Sequence, residues 1–199
     1  GSNTVSVFRN TSSPESISSG SFAARIDFPA GNYPADVAIL DLDKDGKPEL
    51  VVVNSVTQTV SVYRNTSTPG VINAGSFAAP VNFATAANPY SVMLRDIDGD
   101  GLADIVVVNN NSNSVSVFRN ISTPGAITAG SFSARVDYVT GNGPYAVAIG
   151  DLDGDQKLDL AVACYAGQVI SVLRNTGTSG SITAGSFAPR VDLTTITGN

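Results

Sequence analysis

Asp96-Ile97-Asp98-Gly99-Asp100-Gly101-Leu102-Ala103-Asp104 runs directly into Ile105-Val106-Val107-Val108-Asn109. The first nine residues place carboxylates at positions 1, 3, 5 and 9 around a glycine turn. The next five are a short, continuous apolar run of buried-strand type. The pair recurs at a fixed distance. Asp41-Leu42-Asp43-Lys44-Asp45-Gly46-Lys47-Pro48-Glu49 precedes 50–54, and Asp151-Leu152-Asp153-Gly154-Asp155-Gln156-Lys157-Leu158-Asp159 precedes 160–164. The spacing is 55 residues, and two further markers share it. Val5-Ser6-Val7-Phe8-Arg9-Asn10 returns at 60–65, 115–120 and 170–175, and Ser21-Phe22 at 76–77, 131–132 and 186–187. One structural unit is therefore repeated.

Within a unit the texture is β. Segment A (36–40, 91–94, 146–149) is short and rich in Val, Ile and Leu. The acidic loop follows, then segment B (50–54, 105–109, 160–164). Segment C (59–64 and its copies) alternates Val and Tyr or Phe with Ser, which predicts a strand with one wet face. After a Ser/Thr/Pro/Gly stretch, segment D (77–83 and its copies) closes the unit. No stretch has helical periodicity. Four short antiparallel strands per unit predict an all-β fold of β-propeller-type blades, with a β-solenoid as the alternative. The expected division is a partial blade (C and D only) over 3–35, then blades at 36–90, 91–145 and 146–199. About three and a half blades are too few for a usual ring. This leaves a piece of a longer protein, or a ring completed by self-association.

Calcium takes six to eight hard oxygen ligands in a flexible cage. The acidic loops offer Asp41, Asp43, Asp45 and Glu49; Asp96, Asp98, Asp100 and Asp104; and Asp151, Asp153, Asp155 and Asp159. The carbonyls of Lys47, Leu102 and Lys157 can add ligands. Twelve of the 17 carboxylates lie in these loops, and two of them about 4 Å apart repel by roughly 4 kcal/mol at an effective dielectric near 20. Three Ca²⁺ per chain would cancel the formal charge of −6. The loops are not EF-hands, because position 12 is Val52, Val107 or Val162 inside a strand. The ninth carboxylate is expected to close the cage. Gln156 stands where Gly46 and Gly101 stand, so a residue with a Cβ is placed where φ > 0 is wanted. The third loop is therefore expected to bind most weakly.

The Asp-x-Asp-x-Asp-Gly-x-x-Asp loop between two apolar strands resembles the FG-GAP/VCBS repeat family, which includes the integrin α-subunit propeller. The resemblance runs along essentially the whole chain; the Phe-Gly-Gly-Ala-Pro element of some members is absent, with only Phe77-Ala78-Ala79-Pro80 in echo of it. It implies a propeller with calcium in the A–B loops, an extracellular or cell-surface setting, and ligand-binding or adhesive roles.

The negative balance excludes nucleic acid and anionic membrane surfaces as expected partners, and no apolar run approaches the roughly 20 residues of a membrane span. Gly1-Ser2 reads as an expression remnant, so a signal peptide is not expected in this stretch. The chain has no His, the commonest general base. Clustered carboxylates repeated three times suit a metal scaffold better than one glycosidase centre, and no enzyme activity is expected. The expected partner is a protein or a glycan, and an accessory domain of a secreted enzyme is the third reading. Tyr33, Tyr90 and Tyr145 are the candidates for stacking on a sugar. Arg9, Arg64, Arg119 and Arg174 are expected to pair locally, and Cys164 to be a buried, inert thiol. Asn10, Asn65 and Asn120 lie in Asn-x-Ser/Thr sequons that recur because the unit does.

Overall fold

The computed structural model describes residues 2–194; Gly1 and the stretch 195–199 that ends the third blade lie outside the described residues. Fourteen strands form three four-stranded antiparallel sheets and one two-stranded sheet, with no helix among the described residues. The half unit contributes β1 (Thr4–Val7) and β2 (Ile26–Pro29). Unit 1 holds β3 (Pro34–Leu40), β4 (Glu49–Asn54), β5 (Thr59–Tyr63) and β6 (Val81–Ala84). Unit 2 holds β7 (Pro89–Arg95), β8 (Asp104–Asn109), β9 (Ser114–Phe118) and β10 (Val136–Val139). Unit 3 holds β11 (Pro144–Gly150), β12 (Asp159–Cys164), β13 (Val169–Leu173) and β14 (Val191–Thr194). Each sheet keeps the chain order of its strands, so each unit is a meander.

The first strand of each unit approaches that of the next, β3 with β7 and β7 with β11. The sheets stack face to face without closing into a ring. Side chains that alternate along a strand then enter two different cores. Val51 and Val53 pack with Val92, Leu94, Ile105 and Val107 of unit 2, whereas Leu50 and Val52 pack with Phe28 of the half unit. Val106 and Val108 of β8 pack with Val147, Leu160 and Val162 of unit 3. Burial on both faces explains why the second strands read as continuous apolar runs.

Two expectations need correction. The serine face of the third strand is not wet: Ser61, Ser116 and Ser171 are fully buried. Each hydroxyl instead donates across the sheet to the fourth strand, to Asn82 at 2.7 Å and to Asp137 and Asp192 at 2.6 Å. Asn54 and Asn109 donate to Ser61 and Ser116 at 2.8 Å. The alternation was real, but the polar side faces the neighbouring unit and is satisfied by a cross-strand ladder rather than by water. Cys164 takes the Asn position in unit 3, buried and 3.6 Å from the Ser171 hydroxyl. The fourth strand is also shorter than 77–83 predicts. Phe77 makes only an isolated bridge to Asn65 and pairing resumes at Val81, a gap repeated from Phe132 to Val136 and from Phe187 to Val191.

Candidate metal centres

Each acidic loop joins the first strand of a unit to its second, so all three lie at one end of the sheets. The turn is made by two residues in the left-handed region. At position 6 these are Gly46 (φ 86°), Gly101 (φ 90°) and Gln156 (φ 67°); at position 4 they are Lys44 (φ 55°), Gly99 (φ 70°) and Gly154 (φ 84°). Gln156 does adopt the positive φ that its place in the turn requires. The position-4 demand was not read from the sequence, although Gly99 and Gly154 carried its signal.

With this backbone the carboxylates converge. Oxygens of Asp41, Asp43 and Asp45 lie within 4.8 Å of one another, as do those of Asp96, Asp98 and Asp104, and of Asp151, Asp153 and Asp159. Glu49 stands outside the first cluster, and Asp100 and Asp155 outside the other two. Position 1 also organises the turn. Asp41, Asp96 and Asp151 accept the amide of residue 46, 101 or 156 at 3.0, 2.8 and 3.0 Å. Position 5 accepts the amide of Lys47, Leu102 or Lys157 at 2.9, 2.8 and 2.9 Å.

The ninth residue has a job that spacing alone did not reveal. Asp104 is fully buried; one oxygen accepts from the Ile97 amide at 2.9 Å and the other from the Asn120 amide at 2.8 Å. Asp159 does the same with Leu152 and Asn175 at 2.9 and 2.8 Å, and Glu49 with Leu42 and Asn65 at 2.8 and 3.3 Å. This carboxylate clamps the loop to the end of the third strand. Each of its oxygens still has a second lone pair free for a cation. Burial, reinforced by Asp98 and Asp100, pushes the Asp104 carboxyl up to about 7 against its two amide donors. Burial likewise raises Glu49, and burial followed by the neighbouring Asp45 raises Asp43.

The loops differ in what faces their carboxylates. In loop 1, Asp41 Oδ1 and Asp43 Oδ2 are buried with no hydrogen-bond partner, and so is the Arg64 Nε beside them. In loop 2, Arg119 donates from Nε to Asp98 at 2.6 Å and from Nη2 to Asp100 at 2.8 Å. In loop 3, Arg174 stands 3.7 Å from Asp153 and both side chains are substantially exposed. Unpartnered buried carboxylate oxygens in an all-oxygen cluster fit a hard divalent cation, which would supply the positive charge they lack.

The remaining candidates fall as follows. Asn65 and Asn120 are buried, and their side-chain amides donate to Pro48 and to Leu42 and Ala103, so those sequons are closed in the folded chain; Asn10 is exposed. Tyr90 and Tyr145 stack on each other with ring centroids 4.2 Å apart and their hydroxyls hydrogen-bonded, while Tyr33 is exposed.

The FG-GAP-like repeat profile matches the chain three times, over residues 1–52, 41–107 and 96–162. No curated protein matches the chain. FG-GAP repeats often bind calcium, and each of the three matched stretches contains or ends on an acidic loop. Tandem matches across 1–162, on a chain whose three four-stranded sheets each carry an acidic loop between their first two strands, make this chain a member of the FG-GAP-like repeat family.

Proposed function

We propose that this chain is a non-enzymatic, calcium-stabilised β-propeller-type repeat module that displays loops for extracellular binding or adhesion. The observation that carries the calcium reading is the pair of buried, unpartnered oxygens on Asp41 and Asp43. A native carboxylate in that position is destabilising unless a cation faces it. Asp41, Asp43 and Asp45, Asp96, Asp98 and Asp104, and Asp151, Asp153 and Asp159 would hold the ions, with the carbonyls of Lys47, Leu102 and Lys157 and water completing each shell. Asp100 and Asp155 fix the turn, and Glu49 clamps loop 1 from just outside its cluster. Calcium supplies a multivalent oxygen-binding charge that ties the first strand of a blade to the second.

Three near-identical clusters support a scaffold role rather than a single reaction centre. The family is generally a non-catalytic repeat module of extracellular proteins, which supports the same reading. Binding then falls to surfaces other than the acidic loops, with a protein or a glycan as ligand. Calorimetric titration of the chelator-treated chain with Ca²⁺ tests the metal reading. Binding together with a raised melting temperature is expected. A melting temperature that does not respond to EGTA would remove calcium from the scaffold.

A further inference from the structure

Each complete unit sets an arginine just past its third strand, beside its own acidic loop, and the three arginines behave differently. In loop 2, Arg119 Nε donates to Asp98 Oδ2 at 2.6 Å and Nη2 donates to Asp100 Oδ2 at 2.8 Å. The Asp98 side chain is fully buried, and its other oxygen accepts the Asp100 amide at 3.2 Å. Both oxygens of that carboxylate therefore have a partner. In loop 1 the corresponding groups do not meet: Asp43 Oδ2 and Arg64 Nε are each buried without a hydrogen-bond partner. In loop 3, Arg174 stays 3.7 Å from Asp153, with both side chains substantially exposed.

The cause of the tight pair lies in unit 3, whose loop after β13 crosses loop 2 as a strap. The Gly180 amide donates to the Asp98 carbonyl and Ser179 Oγ to the Gly99 carbonyl, each at 3.1 Å. A Cβ on Gly180 would stand 3.5 Å from Arg119 Nη2, so the strap backs the guanidinium against its carboxylates. Ser179 is an exception in the sequence, because Pro14, Pro69 and Pro124 hold its place in the other copies. Pro124 has no hydroxyl to give, and a Cβ on the following Gly125 would meet nothing within 4 Å. The backing that Arg119 receives is therefore missing for Arg64. A second cation reaches loop 2 from unit 1: Lys44 Nζ lies 3.4 Å from where a Cβ on Gly101 would stand.

We propose that Arg119 is the resident counter-ion of loop 2, and that calcium enters this loop by displacing it from Asp98 and Asp100. The inference rests on the calcium reading above. A buried carboxylate is stable only with a cation or enough donors facing it. Loop 2 finds that cation within its own chain, whereas loop 1 does not. A guanidinium and a calcium ion on one carboxylate repel each other at short range, so either occupant disfavours the other. Removing the arginine then acts in opposite directions on the two states. It takes a partner from the chelated fold and a competitor from the calcium-bound one.

Calorimetric titration with Ca²⁺, together with melting in EGTA, tests this on the parent chain, R119Q and R64Q. R119Q is expected to melt lower than the parent in EGTA and to tighten one calcium step by about tenfold, within the usual range of coupling between two sites. Adding D98N to R119Q should abolish the tightened step, which assigns it to loop 2. R64Q removes a charge near loop 1 but no bond to its carboxylates, so its gain should be clearly smaller. If R119Q melts too low to titrate, S179P carries the same expectation, since it gives unit 3 the residue of the other copies and leaves Arg119 and the carboxylates in place. A loop 2 step that is unchanged or weakened overturns the exchange while leaving the calcium reading standing, and so does an equal gain in R64Q. A parent with no calcium step at all removes the calcium reading itself, and the exchange with it.

Discussion

Loops 41–49 and 151–159 have the same carboxylates at positions 1, 3 and 5, yet they occupy different environments. Asp43 is buried, whereas Asp151, Asp153 and Asp155 are all exposed. Leu42 lies in the core shared by units 1 and 2, and its counterpart Leu152 lies open to solvent. The difference comes from the following unit, which covers loop 1 and, among the described residues, does not exist for loop 3. In a stacked repeat the nearest-neighbour seam sets the local dielectric, so an identical ligand set acquires different electrostatics.

The largest expected effect is that of removing calcium. Each saturated site adds about 2.7 kcal/mol of stability at a free ion concentration 100 times Kd. Chelation should lower the melting temperature steeply, and it should also change the pH dependence. Asp104 is held near 7 in the fold against 3.8 in the unfolded chain, so between those values the native state binds more protons. Its contribution is complete below pH 4 and is lost as pH rises to about 7, a loss on the order of 4 kcal/mol. Stability in EGTA should therefore fall between pH 4 and pH 7, and calcium should flatten the slope. A chelated chain that grows more stable over that range would contradict the clamp as described.

Next in size is a reversal of sign at Asp43. In Ca²⁺, D43N removes a ligand and should cost about 1–3 kcal/mol. In EGTA it removes a buried carboxylate whose second oxygen has no partner, and it should stabilise by about 1 kcal/mol. D153N lies in the exposed loop beside the loose Arg174 pair; it should change stability by less than about 0.5 kcal/mol in EGTA and, as a ligand of the weakest site, should cost less than D43N in Ca²⁺. Denaturant melts of both variants in both buffers read this directly. Equal responses of the two loops would break the comparison.

Much of this was legible in the sequence. The 55-residue period, the four strands of each blade and the gathering of the acidic side chains follow from patterns that local chemistry enforces: glycine turns, continuous apolar runs and Asp at every second position. What was not legible depends on the neighbouring unit. The Ser61, Ser116 and Ser171 face reads as wet because alternation reports two environments without saying that both are dry. The closure of Asn120, and the second role of Asp104 as acceptor for the Asn120 amide, need the third strand to end beside its own loop and beside the loop of the preceding unit. Arg119 was expected to pair locally, but its grip on Asp98 and Asp100, unlike the unpaired Arg64, is a matter of placement rather than of sequence.

A smaller effect concerns the order of filling. Loop 3 is the exposed loop, and it carries a left-handed Gln156 where loop 2 has glycine at both turn positions and loop 1 has the left-handed Lys44, so it should take calcium last. D151N should then remove the weakest step of a calorimetric titration and leave the tighter steps in place. Loss of the tightest step would place the strongest site in loop 3 and reverse the comparison.

The smallest expected effect separates the two causes of that weakness. Gln156 holds φ at 67° where Gly46 and Gly101 hold 86° and 90°, and a Cβ in the left-handed region costs on the order of 1 kcal/mol. Q156G removes that cost, partly offset by the greater freedom of glycine in the unfolded chain. A net gain of about 0.5 kcal/mol and a modestly tighter third calcium step are expected. Exposure of the loop is untouched by the substitution, so loop 3 should still fill last. If Q156G brings the third site level with the second, whose turn positions are both glycine, backbone strain alone made those two loops unequal, and exposure matters little. If it leaves the third site unchanged, exposure of the loop is the whole cause.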